Sequence, residues 1–202
     1  MSSRKEIRDE VKNLKVQIRR SEKRDKAKPD VKWIIQIMVI SFMISLIFSF
    51  ASEMTLPNVH VIIGIVIVIL FIILGLIFDM IGVAVTSADE KPFHSMNSRK
   101  VKGADIAVKF KKNADKVASF CNDVIGDICG IVSGSAGAMI ALSLSTSLHI
   151  DKFIISLLVT ALIASLTIGG KAIGKSYAIN KSNLILYKFA KFISHFYKPK
   201  NK

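Results

Sequence analysis

Proline is rare in this chain, and it is absent from the stretches where it would break a helix. The four prolines all lie outside four uncharged apolar runs, which span residues 33–52, 61–78, 128–150 and 153–170. Proline in a helix interior removes a hydrogen bond and clashes with the preceding turn, so each run can form one continuous helix. Each run has 18 residues or more and can cross a hydrocarbon core of about 30 Å. The sequence therefore predicts an all-α integral membrane protein with four transmembrane helices.

Acidic residues are also scarce: there are 15, against 29 lysines and arginines, and the net charge is +14. The basic residues alternate along the chain, with 12 in 1–32, none in 53–60, eight in 87–116, one in 151–152 and eight from 171 onward. By the positive-inside rule, this pattern indicates a multi-pass protein of the cell membrane with both termini in the cytoplasm. The N-terminal basic segment lacks the interleaved aromatic residues of a nucleic-acid-binding surface, so we expect no nucleic-acid partner.

Patterns typical of enzymes are missing as well. The two cysteines, Cys121 and Cys129, lie about 12 Å apart along one predicted helix, which is too far for a disulfide. The four histidines show no metal-ligand or catalytic-triad spacing. The segment IGGKAIGKS resembles a phosphate-binding loop only superficially, because no strand precedes it. We therefore expect that the protein is not an enzyme.

The apolar and charged segments divide the chain into three parts. Residues 1–32 form a predicted basic cytoplasmic arm that lies against anionic lipid headgroups or, alternatively, binds a partner helix. Residues 33–52 form an additional N-terminal transmembrane helix, for which a cleaved signal peptide is the alternative. The third part is 59–199, with spans at about 61–86, 117–147 and 153–170, a cytoplasmic loop at 87–116 and an amphipathic juxtamembrane helix at 181–197.

Few ionisable side chains are predicted at membrane depth, where each is costly and is by default functional or paired. They are Asp79 in the second span, Asp123 and Asp127 at the start of the third, and Lys171 at the end of the fourth. The predicted topology puts all four toward the cytoplasmic side, where they could converge. Alternatively, Asp123 is an interfacial acid in a first helical turn, and Lys171 snorkels to the headgroups.

The third span also carries a stripe of small residues. Its glycines are Gly126, Gly130, Gly134 and Gly137. Asp123 and Asp127 share a helical face with Gly130 and Gly134, at spacings of i, i+4, i+7 and i+11. Small residues allow helices to approach closely in lipid, so the pattern predicts that this face packs against protein.

Four segments occur in a distinctive order: FDMIGVAVTSAD, KGADIAVKFKKNADKVASF, VIGD and IGGKAIGKSYA. Their order and spacing over 70–199 resemble the transmembrane domain of the CorB/CorC (cyclin-M-type) magnesium and cobalt transporters. The resemblance implies a homodimer in which each copy has three membrane helices, a cytoplasmic loop and a juxtamembrane helix. The CBS domains that usually follow in that family are absent from this sequence, so a separate cytoplasmic regulatory partner is conceivable.

The resemblance also implies where a Mg²⁺ ion would bind, and Mg²⁺ is the one cofactor we expect. At the family's ligand positions, two serines, a Gly-Asn pair and a glutamate, this chain has Asp79 and Ile81, then Gly126 and Asp127, then Lys171. One expected function is Mg²⁺ or Co²⁺ transport, with Asp79, Asp127 and Asp123 as hard oxygen ligands. The alternative is a non-conducting structural or regulatory relative in which Lys171 pairs with the aspartates. Opposite charges about 4 Å apart attract by about 4 kcal/mol at an effective dielectric of about 20.

Overall fold

The computed structural model describes residues 31–55 and 60–196, and every regular element among them is helical. In chain order these are α1 (Val31–Thr55), α2 (Val61–Ser87), α3 (Glu90–Ser98), α4 (Ala104–Lys112), α5 (Ala114–Ser119), a π-helical segment (Phe120–Gly126), α6 (Asp127–Leu148), α7 (Lys152–Asn180) and α8 (Ser182–Phe196). The predicted basic arm lies outside the described residues, apart from its last two positions. The last position of the predicted juxtamembrane helix, residue 197, also lies outside them.

Four helices are long and apolar enough to cross a membrane: α1, α2, the continuous helix Ala114–Leu148 and α7. The predicted all-α, four-span membrane fold is thereby confirmed. The continuous helix joins α5, the π-helical segment and α6. One boundary differs clearly from its prediction, because α7 ends at Asn180 and not at 170. Lys171 and Lys175 end the uncharged run without ending the helix, since Gly174 and Ala178 are buried further along it.

The chain divides into two compact units, Met1–Met38 and Val39–Lys202. The described part of the first unit, residues 31–38, is the start of α1 and is helical throughout. Within the second unit, the later part of α1 touches α2 through an edge-to-face contact of Phe48 with Phe71, whose ring centroids are 5.6 Å apart. The spans carry many exposed apolar side chains, such as Ile62 and Ile168. Such exposure is normal for a face that lipid covers.

Three helices, α2, α6 and α7, pack along one another in the second unit. Their apolar contact includes Val68 and Ile72 of α2 with Ala136 and Ile140 of α6. Glycines on α7 allow close packing against α2. A Cβ added at Gly170 would lie 2.7 Å from Leu76 Cδ1, and one added at Gly174 would lie 2.9 Å from Met80 Cγ. This use of small residues at helix contacts is typical of membrane bundles.

A second core lies where the end of α2 meets the short helices and α8. Its fully buried members include Val85, Phe93, Ala107, Leu186 and Ala190. Helix α8 therefore has one face packed on protein, whereas the sequence predicted a helix lying along the membrane surface. Three aromatic or aliphatic side chains of α8 stay exposed on its other side, namely Leu184, Phe192 and Phe196.

Two local features hold this second core together. Gly103, just before α4, has φ +86, and a Cβ there would lie 2.9 Å from Lys191 Cα. Only glycine combines that conformation with so close a contact. In addition, Lys111 Nζ donates to Val85 O at 3.2 Å and to Thr86 O at 2.8 Å. These carbonyls end α2 and have no partner inside the helix, so the lysine caps that helix end.

Candidate functional site

Helix α2 presents a stripe of three residues toward the π-helical segment, and we call it the inner stripe. It consists of Gly75, Asp79 and Gly82. A Cβ added at Gly75 would lie 3.0 Å from Cys129 Cβ and 3.4 Å from Gly126 O. A Cβ added at Gly82 would overlap the side chain of Asn122. The two helices thus approach closely above and below Asp79, which must face the surface between these two contacts.

Among the described spans, Asp79 is the most deeply buried of the Asp, Glu, Lys, Arg and His side chains. Only 4% of the residue is exposed, and its Oδ2 atom has no hydrogen-bond partner. No described cation lies within 4.0 Å of its carboxylate. An unpaired carboxylate at this depth is unfavourable by several kcal/mol unless it is protonated or meets a cation. Within the described residues, Asp79 therefore lacks the cation that would stabilise its buried carboxylate.

Asn122 contributes the second buried oxygen atom at this place. Its Oδ1 atom also lacks a hydrogen-bond partner, and its side chain lies against Gly82, less than one helical turn from Asp79. Sequence reasoning missed Asn122, although an amide beside Asp123 in a largely apolar span was a usable signal. Each of these two oxygens is an acceptor without a donor, so each could accept a hydrogen bond from a proton donor or bind a cation.

Asn122 belongs to the π-helical segment, which lies opposite α2 at this place. Its hydrogen bonds run from i to i+5 instead of i to i+4, a geometry that is rare and is found often at functional sites. The segment runs over seven residues, Phe120–Gly126, and both of its ends join residues with ordinary α-helical backbone angles. It lies between α5 and α6, within the helix that forms the third span.

Lys171 reaches toward the same region from α7. Its Nζ lies 3.5 Å from Asp127 Oδ1, and the two side chains are 24% and 63% exposed, respectively. A Cβ added at Gly126 would lie 3.9 Å from the same Nζ atom. The structure thus brings together two of the four predicted groups, Lys171 and Asp127. Asp79 lies outside this ion pair.

The face of the third span that carries Asp123 and Asp127 points outward, and we call it the outer stripe. It consists of Asp123, Asp127, Gly130 and Gly134. Both aspartates are exposed, and a Cβ added at either glycine would meet nothing within 4 Å. The predicted packing of this face is therefore not seen within one chain. The larger residues Ile128, Val132 and Ile140 are buried on α6 instead, where they make more van der Waals contacts with the neighbouring helices than glycine can.

The other two predicted packing glycines are in contact. Gly126 lies near Gly75 O and Cys121 O, and a Cβ at Gly137 would overlap the side chain of Ile163. The three aspartates do not form one cluster. Within residues 31–55 and 60–196, no group of three His, Cys, Asp or Glu side chains is placed to hold a metal ion.

The fold and the site define a class, a multi-pass all-α membrane protein with an unpaired carboxylate buried between its helices. No protein-family model, curated protein or solved structure matches the chain. The CorB/CorC resemblance thus depends on the sequence segments alone and stays a prediction.

Proposed function

We propose that this protein binds Mg²⁺ or Co²⁺ between its membrane-spanning helices and transports it, as the CorB/CorC transporters do. The observation that carries the proposal is the carboxylate of Asp79, a residue that is only 4% exposed and whose Oδ2 has no partner. Ionisable residues inside spans mark ion pathways and proton relays. A cation at this carboxylate would remove the cost of the buried charge.

The ligand set that the geometry supports differs from the one that the sequence predicted. Asp79 Oδ2 and Asn122 Oδ1 are the two buried oxygens that lack partners. Mg²⁺ prefers hard oxygen ligands and commonly keeps several waters while binding only one or two carboxylates. Two protein oxygens with waters therefore suit Mg²⁺, whereas Asp127 is already paired with Lys171.

The proposal includes a membrane arrangement. Both termini lie in the cytoplasm of a cell-membrane protein, and two copies form a homodimer. The alternation of basic segments supports the orientation, and the resemblance to CorB/CorC supports the dimer. The exposed basic residues of the loops and α8 would then contact anionic headgroups, and a separate regulatory protein would bind from the cytoplasm.

Mg²⁺ flux into proteoliposomes tests the transport function directly. The full chain is reconstituted with an entrapped fluorescent Mg²⁺ indicator, and the initial rate is compared for the wild type, Asp79→Asn and Asp115→Asn. Asp115 is exposed in the first turn of α5 and serves as a matched control for loss of a carboxylate. We expect Asp79→Asn to reduce flux to the protein-free rate and Asp115→Asn to leave it unchanged. Wild-type flux in Asp79→Asn would exclude Asp79 as the transport site.

The ion pair of Lys171 with Asp127 favours one other candidate, a non-conducting membrane protein. In that case the ammonium of Lys171 acts as a permanent internal cation, and added Mg²⁺ has nothing to bind. Thermal unfolding with and without millimolar Mg²⁺ separates the two functions. A closed site predicts no shift for the wild type and a gain for Lys171→Glu, whereas the transport proposal predicts that the wild type is already stabilised.

A further inference from the structure

We propose that the π-helical segment Phe120–Gly126 is a register switch, which exchanges Asn122 for Asp123 beside Asp79. The exchange changes the negative charge of the cation site from one to two. The inference rests on the proposed function, because it concerns how that same site holds and releases a divalent cation.

The first step is helical geometry. Bonding from i to i+5 stacks a residue roughly above the one five positions back, which for Asp127 is Asn122. Bonding from i to i+4 stacks it roughly above the one four positions back, which is Asp123. A change of the segment from π to α bonding therefore turns its residues around the axis, by an amount that grows with distance from Asp127 and reaches about one place near Asn122. Relative to α6, Asp123 takes the direction that Asn122 has now.

The second step concerns what surrounds the side chains of Asn122 and Asp123 in the present register. Asn122 now faces Gly82, with its Oδ1 buried and unpaired, while Asp123 is exposed. Gly82 has no side chain, and this leaves the space that Asn122 fills. Aspartate and asparagine have nearly the same shape, so Asp123 would fit the same space without further adjustment.

The third step is charge. Asp79 already contributes a buried carboxylate, and a second carboxylate next to it is disfavoured when no cation is present. The neutral amide of Asn122 is then the better neighbour. A divalent cation reverses this preference, because it is attracted more strongly by two carboxylates than by one. Cation binding and the α register consequently favour each other, and the same coupling favours release in the π register.

The fourth step is freedom to move. The residues that join the segment at each end already have α-helical angles, with φ −57 and ψ −44 at Ser119 and φ −77 and ψ −38 at Asp127. On the other side of the six-residue helix α5, Asn113 has non-helical angles of φ −115 and ψ 36. This joint lets α5 turn without carrying α4 with it. Ala114 and Val117 of α5 pack against the second core, and Cys121 of the segment is buried in it, so these contacts must shift when the register changes.

Two single-residue deletions provide a matched test in the full chain. Either deletion removes the extra residue, so the helix can continue with α bonding while α5 keeps its present direction. Without Asn122, Asp123 faces Gly82; without Asp123, Asn122 faces it. The two proteins have equal length and differ by one carboxylate at the site. We expect the chain lacking Asn122 to bind Mg²⁺ at least about tenfold more tightly than the chain lacking Asp123, measured by calorimetric titration in lipid nanodiscs. Equal affinities would overturn the proposal.

Point variants keep the test valid if either deletion prevents folding. In the π register Asp123 lies outside the site, so a static segment predicts that Asp123→Asn leaves Mg²⁺ affinity unchanged. The switch predicts a loss of about tenfold, with no loss in the exposed-carboxylate control Asp115→Asn. The titrations are made at high ionic strength, where the effects of surface charges are screened. An unchanged affinity in Asp123→Asn contradicts the switch.

The same titrations separate this proposal from the one on which it depends. If the wild-type chain binds no Mg²⁺, the proposed function fails and the switch fails with it. If the wild type binds Mg²⁺, Asp79→Asn abolishes binding and Asp123→Asn has no effect, the cation site stands and the switch alone is wrong.

Discussion

The inner and outer stripes contain the same residue types, glycine and aspartate, yet the structure treats them in opposite ways. On the inner stripe, Gly75 and Gly82 touch the π-helical segment, and Asp79 is buried between them. On the outer stripe, Gly130 and Gly134 face open space, and Asp127 is 63% exposed beside Lys171.

The difference shows that residue type alone does not make an ion site in a membrane bundle. A glycine matters where another helix approaches it closely, and a carboxylate matters where it is buried without a partner. The inner stripe meets both conditions, the first at Gly75 and Gly82 and the second at Asp79. The outer stripe satisfies neither within one chain.

The largest expected effect comes from filling a glycine of each stripe. Gly75→Leu forces a side chain into space already taken by Cys129 Cβ and Gly126 O. We expect it to lower the free energy of unfolding by about 3 kcal/mol, the upper end of the usual range for overpacking. Gly130→Leu is the control, because its Cβ meets nothing within 4 Å, and we expect almost no loss. Thermal and denaturant unfolding in detergent would measure both, and equal losses would contradict the contrast between the stripes.

The next effect concerns the buried charge. In Mg²⁺-free buffer, Asp79→Leu removes an unpaired buried carboxylate and should raise the free energy of unfolding by about 1–2 kcal/mol, while it abolishes Mg²⁺ binding. The comparison variant is Asp127→Leu, which we expect to gain nothing because that carboxylate is mostly exposed and has a partner. Destabilisation by Asp79→Leu would mean that the carboxylate has a stabilising partner in the protein.

A smaller effect is expected for the ion pair of the outer stripe. Lys171→Met keeps the apolar part of the side chain and removes its charge. The pair is 3.5 Å long and its aspartate is 63% exposed, so we expect a loss below about 1 kcal/mol. Mg²⁺ affinity should stay within about twofold of wild type if Asp79 and Asn122 are the ligands. A large gain in affinity would instead support the closed-site alternative.

The smallest effect involves a carboxylate outside both stripes, Glu90 at the start of α3. A hydrogen bond of 2.9 Å with His94 lowers the pKa of Glu90 below its ordinary value. A depressed pKa in the folded state adds stability above the pKa of the unfolded chain, and this stability is lost as pH falls through the folded value. Carboxylate NMR titration should show the Glu90 pKa rising toward its ordinary value in His94→Gln. An unchanged pKa would assign the shift to another neighbour.

The sequence was sufficient to predict the membrane-spanning helices, because long apolar runs and the spacing of charged residues are local properties of the chain. It also drew attention to Asp79, since an acid in an apolar run is visible without a structure. The sequence predicted that the face of the third span with Asp127, Gly130 and Gly134 packs against protein, and within one chain the structure shows no such packing at the two glycines. Which face of that helix is buried depends on the helices opposite it, and these are distant in sequence.

Asn122 escaped prediction for a related reason. Spacing arguments assume one helical period, and the π-helical segment changes the period for seven residues. The change depends on which carbonyl each amide finds, and no local residue pattern in FCNDVIG specifies it. The packed face of α8 was equally hidden, because Leu186 and Ala190 meet helices that lie about eighty residues or more earlier in the chain.

Lys111 donates hydrogen bonds to the last carbonyls of α2, and this affects how the protein adapts to bilayers of different thickness. Because protein atoms satisfy Val85 O and Thr86 O, this end of α2 does not depend on headgroups or interfacial water for its hydrogen bonds. We therefore expect a hydrophobic mismatch to be accommodated at the Val61 end, where side chains such as Ile62 are exposed. The depth of Asp79 is therefore fixed relative to the short helices and α8, and a thicker or thinner membrane leaves that distance unchanged.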